Sequence, residues 1–174
     1  TEMKAKKIII GLFAAFIALS LPMNAQSKKQ KQEEISKTIR ELIEAQKINV
    51  EVNTALPMRG PSRHLTSNYS VEIRNDSVFS YLPYFGIAYS APYGGRAKGL
   101  IFDEKITDYK VLFDKKGTAN ISFRTRNDED SYIYWIKIFS SGSADVRVTP
   151  NNKQSISFYG EFIYDTPKKN AKNK

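Results

Sequence analysis

The stretch Tyr69–Tyr93, YSVEIRNDSVFSYLPYFGIAYSAPY, decides how the rest of the chain is read. Val71 and Ile73 alternate with Glu72 and Arg74, a period of two with one wet face. Asn75-Asp76 follows, and both residues tolerate the positive φ of a tight hairpin turn. Val78, Ser80 and Leu82 then alternate with Phe79 and Tyr81 on a returning strand. Pro83 has no amide hydrogen, so the strand ends there or lies at an edge. Tyr84, Phe85, Tyr89 and Tyr93 come next, punctuated by Gly86, Pro92 and Gly94-Gly95. This is a hairpin followed by an aromatic segment, and the hairpin sets an antiparallel β class.

The same pattern recurs downstream about every ten residues. Leu100–Phe102 reads as one strand, and Tyr109, Val111 and Phe113 as the next. Asp114–Gly117 is a turn, after which Ala119, Ile121 and Phe123 alternate with Asn120, Ser122 and Arg124. Asn127–Asp130 is an acidic turn that lacks the spacing and the glycine of a calcium loop, so it reads as solvated. Tyr132–Phe139 is the strongest strand, apolar on both faces. Such a strand is expected to be covered on both sides, with Trp135 buried under a helix. Val146 and Val148 make another strand, and Ile156, Phe158, Gly160 and Phe162 the last.

Upstream, Gln32–Lys47 reads as one amphipathic helix. Ile35, Ile39, Leu42 and Ile43 form a single stripe, and Glu33 and Lys37 are spaced for an ion pair. The helix is expected against the barrel or over one mouth. Ile48, Val50 and Val52 begin the first strand, and Ala55–Thr66 reads as a loop holding Met58, Arg59, Arg63 and the sole histidine, His64. Short strands joined by short turns give a mainly β fold: an antiparallel up-and-down lipocalin-like barrel of eight or nine strands, or a strongly curved meander sheet, with one N-terminal helix.

Lys4, Lys6 and Lys7, then the apolar run Ile8–Leu21 and Met23-Asn24-Ala25, have the pattern of a signal peptide over residues 1–25. The run is short of the roughly 20 residues that span a bilayer. Cleavage before Gln26 would leave one domain over residues 26–167, with its helix at about 32–47, and a basic disordered tail over 168–174. The expected location is periplasmic or extracellular, without stable membrane insertion. Cysteine is absent, so neither a disulfide framework nor a thiolate metal site can form.

The formal charge of +9 is unevenly placed. Residues 32–167 hold 17 basic and 17 acidic side chains, so the excess lies at the ends. A nucleic-acid domain carries its cations on a folded face, and that function is not expected.

The segment Ser80-Tyr81-Leu82-Pro83-Tyr84-Phe85-Gly86, followed by Ala88-Tyr89, resembles the signature of a family of secreted Bacteroidetes domains, domain-of-unknown-function family 4251. The resemblance covers roughly Glu33 to Asp165. It implies a lipocalin-like barrel and an exported protein, and brings no catalytic residue with it.

Enzyme constellations are not evident. A nucleophile elbow, a phosphate loop and a zinc-protease motif are missing, and any histidine triad would rest on His64. Asp103-Glu104 and Asp108 remain as carboxylates for a hydrolytic pair. Adjacent acids on a strand face opposite ways, however, and Asp103 and Glu104 read as a strand end beside Lys105. The expectation is a non-enzymatic domain without cofactor or metal, whose partner is a small amphipathic ligand or an envelope protein.

If there is a ligand site, Tyr81, Tyr84, Phe85 and Tyr89 would supply a stacking surface at one mouth. Arg59, Arg63 and Arg96 would form an anion-binding rim. The competing reading is that the aromatic segment plugs a barrel already filled by Phe113, Phe123, Tyr134, Phe158 and Phe162. The function is then that of an envelope structural or interaction domain.

Overall fold

A computed structural model describes residues 23–89 and 99–164, with side chains from Gln30 onward. The expected signal segment up to Pro22, and the tail, lie outside the described residues. The chain divides into two compact units, Thr1–Glu34 and Ile35–Lys174. The first contributes the opening turns of helix α1, Met23–Glu44. The second contains the last turns of α1 and all the strands.

Those strands form a closed eight-stranded antiparallel barrel in sequence order. They are β1 Lys47–Pro57, β2 Arg63–Arg74, β3 Ser77–Leu82, β4 Leu100–Phe113, β5 Ala119–Arg126, β6 Ser131–Ile138, β7 Ser143–Pro150 and β8 Ile156–Phe162. The β2–β3 hairpin has the expected register, with Ile73 opposite Val78 and Arg74 opposite Ser77. Asn75 takes φ 53° in its turn. In the β4–β5 turn, Gly117 takes φ 80°. The Asp114 carboxylate there accepts the amides of Lys116 and Thr118, and these bonds hold it below the usual carboxylate range.

β8 pairs with β1 and closes the sheet into a barrel. The closing seam is tight. Gly160 lies opposite Val52, where β1 slips register before Thr54. A Cβ on Gly160 would collide with the Glu51 backbone carbonyl, so only glycine lets these two strands approach.

Several readings of the sequence change in the structure. First, Leu100–Phe102 and Tyr109–Phe113 belong to one strand, β4. Its register shifts between Thr107 and Lys110, and Asp108 takes φ 54°. This bulge bends the strand, so that Leu100–Lys105 pairs with β3 and Ile106–Phe113 with β5. Asp103 and Glu104 therefore sit within a strand, the first exposed and the second half-buried. Second, β1 runs to Pro57 and β2 begins at Arg63, which shortens the loop to residues 58–62. His64 is on β2, opposite Thr54.

Third, Trp135 faces outward on β6 and is 55% exposed. The stripe of α1 does not cover this wall. Ile39 and Ile43 are buried in the same cluster as inward-facing Ile48, Ile73 and Ile138, with Ile35 and Leu42 packed against it. Arg40 stacks its guanidinium 4.4 Å from the Phe113 ring centroid, and Ser36 lies beside Gly117. The last turns of α1 thus sit at the end of the barrel marked by the β4–β5 turn. The helix stops at Glu44, before the expected Lys47, because Gln46 takes φ 53° and turns the chain into β1. Lys37 pairs with Glu41 at 3.8 Å, and Arg40 with Glu44 at 2.9 Å.

The interior is filled by rings. Phe102 stacks on Tyr132 at 4.7 Å, Phe123 on Tyr134 at 4.8 Å, and Phe102 meets Tyr134 edge-on at 6.4 Å. Ser80 bonds both the Tyr134 hydroxyl, at 2.9 Å, and the Leu100 carbonyl, at 2.7 Å. Burial pushes the Tyr134 phenol well above its ordinary value and the Tyr132 phenol up to about 12.

Candidate functional site

The end of the barrel away from the last turns of α1 is closed by the aromatic segment. Pro83 ends β3, and residues 84–89 cross to the β7–β8 turn. Ala88 makes an antiparallel bridge with Lys153. The Tyr89 amide donates to the Asn152 carbonyl at 2.8 Å, and the Gln154 amide to the Ile87 carbonyl at 3.0 Å. The Tyr84 hydroxyl donates to the Gln154 carbonyl at 3.0 Å. Its ring folds back over Gly86, where a Cβ would lie 2.6 Å from the hydroxyl oxygen. Burial raises the Tyr84 phenol above its ordinary value.

Beneath this latch lies a charged cluster. The side chain of Lys153 is only 4% exposed; its Nζ is 3.6 Å from the Glu129 carboxylate and 5.7 Å from the Tyr84 ring centroid. That ammonium makes no hydrogen bond among the described residues. The acidic turn is structural, not merely solvated. Asn127 Oδ1 accepts the amides of Glu129 and Asp130. Buried Asp130 accepts the Asn152 amide at 3.0 Å and its side-chain Nδ2 at 3.2 Å. No cluster of three or more metal-binding side chains occurs among the described residues.

Of the residues expected to form a site, the structure gathers Tyr84, Phe85 and Arg63. The Arg63 guanidinium stacks 4.7 Å from the Phe85 ring centroid. Tyr81 is elsewhere: one residue before Leu82 on β3, it faces out from the wall and stacks on Tyr69 at 5.3 Å. Tyr89 is exposed beyond the latch, and Arg59 is exposed in the β1–β2 loop. Arg96 and Tyr93 lie outside the described residues. Lys153, Gln154 and Asp130 join the site without having been expected there. Their only sequence signal is a polar turn, and they meet Tyr84 through the fold.

A second feature escapes the sequence because Trp135 reads as core. On the outer wall, Trp135 and Tyr159 border an open groove of about 290 Å³, together with Asn120, Lys137, Asp145 and Arg147. In the barrel register, Ser122, Trp135, Arg147 and Ser157 form one row across β5–β8. Asn120, Lys137, Asp145 and Tyr159 form the next.

Among the described residues, no helix is long and apolar enough to cross a membrane. No curated protein matches the chain. The fold is similar to the crystal structure of a DUF4251 family protein from Bacteroides eggerthii DSM 20697, with a TM-score of 0.58 and 22% identity over 74% of this chain and 87% of that one. The model of the family described as Domain of unknown function (DUF4251) matches residues 29–162, and the chain therefore belongs to the DUF4251 family.

Proposed function

We propose that this domain is an exported, non-enzymatic interaction module of the cell envelope, in which the barrel is a filled scaffold and the outer wall binds. The observation that carries the reading is the ring stack of Phe102, Tyr132, Tyr134 and Phe123, which occupies the interior where a lipocalin-like barrel would hold a ligand. Both ends are covered, while a large indole stands exposed on the wall. Export is supported by the basic start, the apolar run and the small residues before Gln26.

Titration with a fluorescent fatty acid tests the filled barrel. The expected result is no saturable uptake. Stoichiometric uptake that disappears in Lys153→Ala would overturn the reading. Export is tested by intact mass: secreted material starting at Gln26 supports it, and a membrane-bound product retaining Met3 refutes it.

A second reading keeps the site at the mouth and is favoured by Lys153, a buried ammonium beneath Tyr84 that has no hydrogen bond among the described residues. Opening of the latch would present Tyr84, Phe85 and Arg63 to an amphipathic anion. The fatty-acid titration decides between the two.

A further inference from the structure

We propose that the groove around Trp135 on the outer face of β5–β8 binds an acidic polysaccharide. This rests on the outer-wall reading above and gives it a ligand class. Two properties of the wall point there, one chemical and one topological.

The chemical property is a flat apolar ring set among unneutralised cations and hydrogen-bonding tips. Trp135 and half-exposed Tyr159 are separated by two strand spacings and one two-residue step, about 12 Å. The C–H face of a sugar ring packs on such aromatic surfaces, and its hydroxyls need donors and acceptors beside them. Asn120, Asp145 and Ser157 provide these. Lys110 extends the Trp135 row on β4, and Arg126 lies on the same wall of β5. Arg124 is paired with Asp108 at 3.6 Å. Lys110, Arg126, Lys137 and Arg147 have no carboxylate within ion-pair distance among the described residues. Lys137 and Arg147 line the groove with Asp145. Over the wider wall the four open cations face two carboxylates without an ion pair among the described residues, Asp145 and, beyond Tyr159 on β8, Glu161. The remaining cationic excess favours a ligand that carries carboxylates of its own.

The topological property is closure. An extended peptide usually binds a sheet by adding a strand to a free edge. Each strand of this barrel already has two neighbours. The wall can therefore recognise a ligand only through side-chain tips. That suits a chain of rings and hydroxyls better than a peptide backbone with unpaired amides.

Trp135 is the only tryptophan, so intrinsic fluorescence reads this groove directly. The probes are tetragalacturonate, neutral maltotetraose and poly-L-glutamate, each titrated into the folded protein. Tetragalacturonate is expected to give a saturable change that weakens with salt. Arg147→Ala and Lys137→Ala, both on exposed positions, should each weaken binding about tenfold or more while leaving the melting temperature unchanged. Maltotetraose binding as tightly would overturn the role of the cations. Tighter binding of poly-L-glutamate at Trp135 would overturn the polysaccharide but leave the outer-wall reading standing. No saturable change with any probe would overturn the inference. If the fatty acid then fills the barrel, the outer-wall reading falls with it.

Discussion

The two ends of the barrel are shut by different physics. At one end, α1 lowers Ile39 and Ile43 into the core, and closure rests on apolar area removed from water. At the other, residues 84–89 are held by hydrogen bonds to the β7–β8 turn, with Asp130 bracing that turn from below. Apolar closure is non-directional and tolerates sliding. Hydrogen-bonded closure is directional and each bond is worth about 1 kcal/mol net. Tyr84 and Phe85 also pack against the core at the latch end, so the two ends differ in how much of their closure depends on directional bonds.

The most severe way to break this contrast is to remove what both ends share, the closed seam. Gly160→Ala forces a Cβ into the Glu51 carbonyl, and a loss of about 3 kcal/mol or more is expected in urea unfolding. A stability near wild type would show that the seam can yield. Next comes the helix end. Ile43→Ala deletes a fully buried side chain, and the expected cost is about 2–5 kcal/mol. If Ile43→Ala costs no more than a latch substitution, the contrast between the ends is lost.

The latch is probed more gently by Tyr84→Phe, which removes the hydroxyl that bonds Gln154. It should cost about 1 kcal/mol and raise hydrogen exchange at the Tyr89 and Gln154 amides ahead of the core. Unchanged exchange at those amides would mean the hydroxyl does not hold the latch. Smallest is Trp135→Ala. On an exposed position it should change stability by about 0.5 kcal/mol or less. A loss of several kcal/mol would return Trp135 to the core.

That last test marks where reading the sequence fails. The hairpin of β2 and β3 is legible because each strand has one polar face, so period and orientation are fixed together. β6 offers apolar residues on both faces, and periodicity then cannot say which face is wet. Ile133 and Trp135 read as covered for that reason. β4 is hidden differently. The run Asp103–Asp108 is polar, and the bulge at Asp108 breaks the alternation that would join its two halves. At the mouth, Pro83 releases Tyr84 and Phe85 from the ladder, as its missing amide hydrogen requires. Proximity in sequence groups Tyr81 with them, although its parity on β3 places it outside. Lys153 and Gln154 are out of reach because their partner Tyr84 is some 70 residues away, and only the closed barrel brings them together.

The seam at Gly160 also governs how the barrel can assemble. Seven of the eight strand pairings join neighbours in sequence, and all but β3–β4, which spans residues 83–99, are hairpins with short connections that can form early and locally. β1 with β8 is the exception, since Val52 must find Gly160 across the whole intervening chain. Loop closure of that length is entropically the most costly step and is rewarded only when the other ladders already hold the ends near each other. Closure then comes late in folding. Interactions absent from the transition state are felt in the rate of leaving the native state, not of reaching it. Strain at Gly160 would therefore shorten the lifetime of the folded barrel while leaving its folding rate almost untouched.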